Sequence, residues 1–244
     1  MTKHSAAVGK TKEILMNISI LQGIEGAKAA KGLTVVIDVF RAFSLEAYLF
    51  DMGAEKIIPI GDAQKAYSLK EENPDCILAG ERGGKIMPGF DTGNSPSQIE
   101  GLDLLGKTVV HTTSAGTQGI ANSTGADEIL GASLLTARAT AEYIRRSGKR
   151  DVSLVCMGLA GTQETEEDTL CARYIKAILE GEKIDFEKEI DIVKRTSGAK
   201  FFDPAQSEVF PEKDFHMCTV VDKFDFVLKL VEGDGLPYMT KIKV

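Results

Sequence analysis

The stretch from Ile77 to Pro96 concentrates residues that can do chemistry. An apolar run breaks into Gly80-Glu81-Arg82-Gly83-Gly84, and Asp91, Asn94 and Ser95 follow in the same loop. Glu81 and Asp91 are hard oxygen donors suited to a cation such as Mg²⁺. Arg82 carries the planar fork that grips a phosphate by two parallel hydrogen bonds. Gly83 and Gly84 let main-chain N–H groups approach an anion with no side chain between. An ordinary surface loop punctuated by Gly and Pro uses the same residue types, so this loop alone does not decide the matter.

Three further clusters sit where an apolar run ends. Asp38 closes the run Leu33 to Val39, and Arg41 and Ser44 follow it. A carboxylate at the tip of a buried strand is costly unless it is paired or holds a cation. Arg41 and Ser44 open the next helix, whose N-terminus favours an anion and where Ser44 is a candidate cap. The run Thr108 to Val110 leads through His111 into Thr112, Thr113, Ser114, Ala115, Gly116 and Thr117. Hydroxyls and exposed N–H groups suit a phosphate or sulfonate, although the spaced Gly-Lys-Ser/Thr of a P-loop is absent. Val152 to Cys156 leads into Gly158 and Gly161 and then a run of acids, of which Glu167 or Asp168 supplies one oxygen to a metal while Thr165 or Glu164 caps. His111 reads either as a pocket residue or as a satisfied core histidine; His4 and His216 add little. No Ser-His-Asp or Cys-His arrangement can be assembled, and no G-x-G-x-x-G follows a strand.

These clusters need a scaffold that brings strand ends together. Continuous apolar runs, rather than alternation, predict strands buried on both faces. They are Leu33–Val39, Lys56–Ile60, Cys76–Ala79, Thr108–Val110, Glu128–Leu130 and Val152–Cys156. Helical segments are expected at Ser44–Met52, at Asp62–Glu72 with Asp62 as cap, at Thr136–Ser147 and at Asp168–Leu179. This alternation predicts a layered α/β/α fold with a mostly parallel or mixed sheet, in which ligands bind at the carboxyl ends of strands. Asp38, Glu81, Thr113 and Asp168 should then converge at one edge of the sheet. Residues after about 181 are charged, with scattered Phe and Pro and no buried parallel strand. They are expected to cover the sheet or to form a less regular C-terminal subdomain of a single domain spanning 1–244.

Composition sets the limits. The chain has 244 residues, 43% hydrophobic and 27% charged, as in globular proteins. A net charge of −7 argues against a general nucleic-acid binder. No apolar run approaches a bilayer span, and Met1–Gly9 lacks the apolar core of a signal peptide, so a cytoplasmic protein without membrane contact is expected. Cys76, Cys156, Cys171 and Cys218 have no C-x-x-C spacing and read as buried free thiols. The oligomeric state is left open, a homo-oligomer included.

Taken together, Val36-Ile37-Asp38-Val39-Phe40-Arg41-Ala42, Ala79 to Gly84, Gly89 to Pro96, Thr112 to Thr117, and Cys156-Met157-Gly158 with Glu167-Asp168 and Cys171-Ala172 resemble the 2-phosphosulfolactate phosphatase family. The resemblance runs from about Thr34 to the tail around Asp214–Val227. It implies an Mg²⁺-dependent acid phosphatase of layered α/β fold. Its reference reaction converts 2-phospho-3-sulfolactate to 3-sulfolactate and phosphate, a step of coenzyme M biosynthesis.

The chemistry of the residues assigns roles within that frame. Mg²⁺ is expected on a few of Asp38, Glu81, Asp91 and Asp168. Arg41 and Arg82 would clamp the phosphate or the acid groups. Ser44, Gly83, Gly84, Asn94, Thr112, Thr113, Ser114 and Gly116 would complete the contacts to a small anionic phosphorylated metabolite. Asp38 is the first choice as direct ligand or nucleophile. Two alternatives stand: a phosphatase for another small phosphoester, and a non-catalytic module that binds an anionic metabolite.

Overall fold

The computed structural model describes residues 16–233 and 235–244. Met1–Gly9, with His4 in it, lies outside the described residues. The chain runs β1 (Asn17–Gln22), α1 (Gly23–Ala29), β2 (Gly32–Ile37), α2 (Ala42–Asp51), β3 (Lys56–Pro59), α3 (Ala63–Glu72), β4 (Ile77–Arg82), β5 (Lys85–Ile86) and β6 (Thr108–Thr112). It continues through α4 (Gly116–Asn122), β7 (Ala126–Ala132), α5 (Ala137–Ser147), β8 (Asp151–Cys156), α6 (Glu166–Glu180), α7 (Phe186–Arg195), α8 (Glu212–Cys218), β9 (Phe226–Val231) and β10 (Tyr238–Lys243).

The strands form one sheet in the order β1-β8-β2-β7-β9-β10-β3-β6-β4-β5. The expected layered α/β fold is present. Leu33, Val35 and Ile37 of β2 pack into a layer with α5 and α6, while Val36 faces the opposite layer with α1, α2 and α4. A strand buried on both faces has no polar face to alternate with, which is why its sequence is a continuous apolar run. Asp62 caps α3 as expected, its carboxylate accepting from Gln64 N at 2.9 Å. All four cysteines are free and buried. Among the described residues, no helix is long and apolar enough to cross a membrane.

The sheet is two parallel blocks joined by a reversed hairpin. β1, β8, β2 and β7 are parallel, and so are β3, β6 and β4. Between the blocks lie β9 and β10, antiparallel to each other and to both neighbours. The tail after residue 181 therefore contributes strands to the middle of the sheet, and Val227, Leu228 and Met239 are fully buried there. The expectation of no parallel strand in the tail hid this antiparallel pair. β1 was also unforeseen, because Ile18, Ile20 and Leu21 form too short and mixed a run.

Three antiparallel junctions leave the β3-β6-β4 block reversed with respect to β2. Six interstrand steps separate β2 from β4. At roughly 20–25° per step the sheet twists by about 120–150° over that distance. Twist of this size swings the reversed block around, so that the carboxyl ends of β2, β4 and β6 open on one cavity.

If the hairpin joins the two blocks, Leu228→Ala should destabilise the whole chain by about 2–5 kcal/mol. At roughly 2–4 °C per kcal/mol for a chain of this size, Tm falls by about 4–20 °C in one cooperative transition. Leu105→Ala, at an 80% exposed position, should leave Tm within about 2 °C. Calorimetry checks both.

Candidate active site

The strand ends wall a cavity of about 270 Å³, lined by Asp38, Arg41, Glu81, Asn94, Ser114, Glu167 and Lys200 among others. A larger, open depression of about 800 Å³ lies elsewhere, beside Arg138, Asp222 and Lys241, and holds none of the strand-end residues.

Asp38 follows β2 directly and is 5% exposed. Its Oδ1 accepts from Ala42 N at 3.1 Å and so caps α2. Ser44, expected as that cap, sits inside the helix, and its hydroxyl donates to Val39 O at 2.8 Å. Oδ2 of Asp38 accepts no hydrogen bond among the described residues. A Cβ on Gly116 would lie 2.9 Å from that oxygen and 2.6 Å from Ala42 Cβ, so only glycine fits there. Burial pushes the Asp38 carboxyl up to about 6; the Ala42 N–H opposes this, and the carboxylates of Glu81 and Glu167 add to it.

Glu81 is fully engaged. It accepts from Ser114 N at 2.6 Å, Gly84 N at 2.7 Å and Ser114 Oγ at 3.2 Å. Gly83 and Gly84 have φ of +60° and +82°, the left-handed pair that a two-residue hairpin turn between β4 and β5 requires. The Gly84 N–H that sequence offered to an anion is thus given to Glu81.

Asp168 lies behind the wall. It accepts from Val39 N and Gly158 N, each at 2.8 Å, and pins the loops after β2 and β8 together. Burial and the neighbouring Glu167 and Asp38 raise its pKa well above the usual carboxylate range. Glu167, one residue earlier, lines the cavity, with the buried hydroxyls of Ser197 and Thr165 beside its carboxylate. Burial raises its pKa, opposed by hydrogen bonding from those two hydroxyls. Thr165 stands at the N-cap position of α6 but makes no side-chain cap bond to the helix.

Arg41 lies at the wall, 3% exposed. Its guanidinium donates to Asp214 Oδ2 at 2.6 Å and to Val209 O at 2.9 Å. Asp214, fully buried, also accepts from Ser95 Oγ and Ser97 N, each at 2.9 Å. Lys200 is the other cation. Its Nζ lies 5.1 Å from the Phe210 ring centre, 5.5 Å from Phe201 and 6.0 Å from Phe40. Among the described residues no carboxylate reaches ion-pair distance of it. Burial lowers its pKa, opposed by the charge of Glu167.

Several expected site residues stand apart. Asp91 is exposed and accepts from Leu78 N at 2.7 Å and Lys70 Nζ at 3.2 Å, outside the cavity. Arg82 turns to Thr112 Oγ1 at 2.9 Å and to the Glu81 carbonyl at 2.6 Å. Thr113 is buried against Thr117, whose Oγ1 accepts its N–H at 2.9 Å. Asp38, Arg41, Glu81, Gly83, Gly84, Asn94 and Ser114 do share the cavity. Sequence reasoning missed Lys200 and Asp214. The only local signal for Lys200 was its place before Phe201-Phe202; Asp214 looks like a solvated helix start.

The donor set fits a hard cation. Asp38 Oδ2 is a carboxylate oxygen without a protein partner among the described residues, and Glu167 near it has hydroxyls but no cation against it, an arrangement that bare anions sustain poorly in a buried site. Mg²⁺ typically takes one or two carboxylates and completes its shell with water and substrate phosphate. Among the described residues no group of three or more His, Cys, Asp or Glu side chains is placed to hold a metal ion, so a cation here would rest on two carboxylates at most.

Fold and site together define a layered α/β protein with carboxylates and two cations gathered around one cavity at its strand ends. Residues 18–233 match the family model described as 2-phosphosulpholactate phosphatase. The chain is 30% identical over 230 residues to the probable 2-phosphosulfolactate phosphatase of Bacillus subtilis, covering 93% of this chain and 99% of that protein. It is 32% identical to the protein of the same description from Caldanaerobacter subterraneus, covering 82% and 88%, and 31% identical to that from Thermoplasma acidophilum, covering 82% and 87%. The chain belongs to the 2-phosphosulpholactate phosphatase family, and with it to the phosphoric monoester hydrolases.

The raised Asp38 pKa has a consequence for stability. A carboxyl held at about 6 in the fold, above the roughly 3.9 of a free aspartate, binds its proton more tightly folded than unfolded. Its ionisation therefore removes stability as pH rises from about 4 to 6, by roughly 3 kcal/mol at most. In metal-free buffer at pH 7.5, Asp38→Asn should raise Tm by several degrees, and near pH 3.5 the two proteins should melt together. Thermal melts across pH check this.

Proposed function

We propose that this cavity hydrolyses a phosphomonoester of a small acidic hydroxy acid, 2-phospho-3-sulfolactate first among them, with Mg²⁺ as cofactor. The observation that carries the reading is the meeting, in one cavity, of the partnerless Asp38 Oδ2 and the Glu167 carboxylate with Lys200, a cation at ion-pair distance from no carboxylate among the described residues. The substrate follows the names of the relatives. Its anionic groups are matched in kind by Lys200 and the Asn94 amide.

Asp38 and Glu167 would hold the metal, whose chemistry is to offset charge on the phosphate and to polarise it for attack by water. The chain's own residues set the frame for this. Asp168 fixes the loops that carry Asp38 and Glu167. Glu81 ties the β4–β5 turn to Ser114. Lys200, held among three aromatic rings, draws the polyanion in against the acids. The Arg41–Asp214 pair anchors the tail residues that form one wall. Without a cation the carboxylates would repel a phosphate, which sets the enzyme above a metal-free binding module.

Phosphate release from a panel of phosphorylated hydroxy acids tests the reading. Turnover of 2-phosphosulfolactate should be highest, and EDTA should abolish it with recovery on adding Mg²⁺. Turnover of other esters but not the sulfonate would keep the chemistry and overturn the substrate. Tight binding with no turnover of any member would favour the module. Lys200→Met should raise KM by roughly tenfold to a hundredfold, the loss of a charged contact of about 1.5–3 kcal/mol. A wild-type KM in that variant would remove Lys200 from the site.

A further inference from the structure

Behind the cavity lies a chain of polar groups that the proposed chemistry does not use. His111 on β6 is fully buried, between its register partners Pro59 on β3 and Ala79 on β4. Its Nδ1 is 2.8 Å from Glu46 Oε1, and Glu46, in the middle of α2, is also fully buried. Its Nε2 is 3.3 Å from Oδ1 of Asn94, which is 6% exposed and lines the cavity. The second Glu46 oxygen, Oε2, is buried without a partner.

This chain has two proton states that differ at the cavity. With a proton on Nε2, the ring donates to the Asn94 carbonyl and leaves the amide NH₂ facing inward. With Nε2 bare, the ring accepts, so the Asn94 amide must turn and present its carbonyl to the cavity. A neutral ring beside an ionised Glu46 leaves a net negative charge where neither group meets water, with one carboxylate oxygen unpaired. A proton on Nε2, whether the pair is imidazolium and carboxylate or imidazole and carboxylic acid, removes that net charge.

We propose that Glu46 and His111 are positioning residues that keep a proton on Nε2 of His111, and so hold Asn94 with its NH₂ toward the substrate anion. Asn94 is then a donor that selects for an anionic group. This rests on the anion-binding reading of the cavity. The charged groups on the surrounding elements are Glu46 and Asp51 on α2, Lys56 on β3, Asp38 between β2 and α2, and Glu81 and Arg82 at the end of β4.

The direct test is nitrogen NMR of ¹⁵N-histidine-labelled full-length protein. The chain has 3 histidines, and the spectrum of His111→Gln identifies the His111 signals by their loss. At pH 7.5 the Nε2 of His111 should carry a proton; a bare Nε2 overturns the proposal. This arm needs no turnover, so failure of the phosphatase reading leaves it interpretable. The second arm is Asn94→Leu, which removes the amide donor. Inhibition by inorganic phosphate should weaken about tenfold or more, the scale of a lost charge-assisted contact, with KM moving more than kcat. Phosphate inhibition equal to wild type, in a variant that melts cooperatively, also overturns the proposal.

Discussion

The structure turns on the difficulty of placing several carboxylates at the tips of buried strands. Asp38, Glu81, Glu167 and Asp168 are each at most 6% exposed and belong to one side-chain neighbourhood. Two are settled by main-chain donors. Asp168 takes two N–H groups and Glu81 takes two with a hydroxyl. The nearest arginine, Arg41, is itself committed to Asp214. Asp38 is left with a free oxygen and Glu167 with hydroxyl neighbours alone, and that excess of negative charge is what a cation and a polyanionic substrate would jointly neutralise.

The tail ties the fold to this site. Residues after 181 deliver Lys200, Phe210 and Asp214 to the cavity or its wall and then thread β9 and β10 through the middle of the sheet. The same segment thus sets the angle between the two parallel blocks and supplies the positive charge. Loosening the hairpin should be felt at the cavity for this reason, although Val227 and Leu228 lie in the core rather than on the cavity wall.

Elements whose signal is local were legible from sequence. β2, β3, β4, β6, β7 and β8 each show as an apolar run, and Asp62 marks the start of α3. Features that depend on a distant partner were not. Val227 and Leu228 look like any short apolar run until β7 and β10 are placed beside them. Arg41 reads as a phosphate clamp until Asp214, far along the chain, is known to meet it. Arg82 and Asp91 had the right chemistry, but main-chain carbonyls and N–H groups absorb it outside the cavity. His111 was left between pocket and core, and it is a core residue that touches a cavity residue.

Whether Asp38 Oδ2 and the Glu167 carboxylate form a cation site can be measured without any substrate, by thermal unfolding with a titration of Mg²⁺ set against the same ionic strength of Na⁺. Mg²⁺ should raise the wild-type Tm in a saturable way, and Asp38→Asn and Glu167→Gln should each largely remove the rise. A wild-type Tm indifferent to Mg²⁺, or an undiminished rise in both variants, would contradict a cation site there.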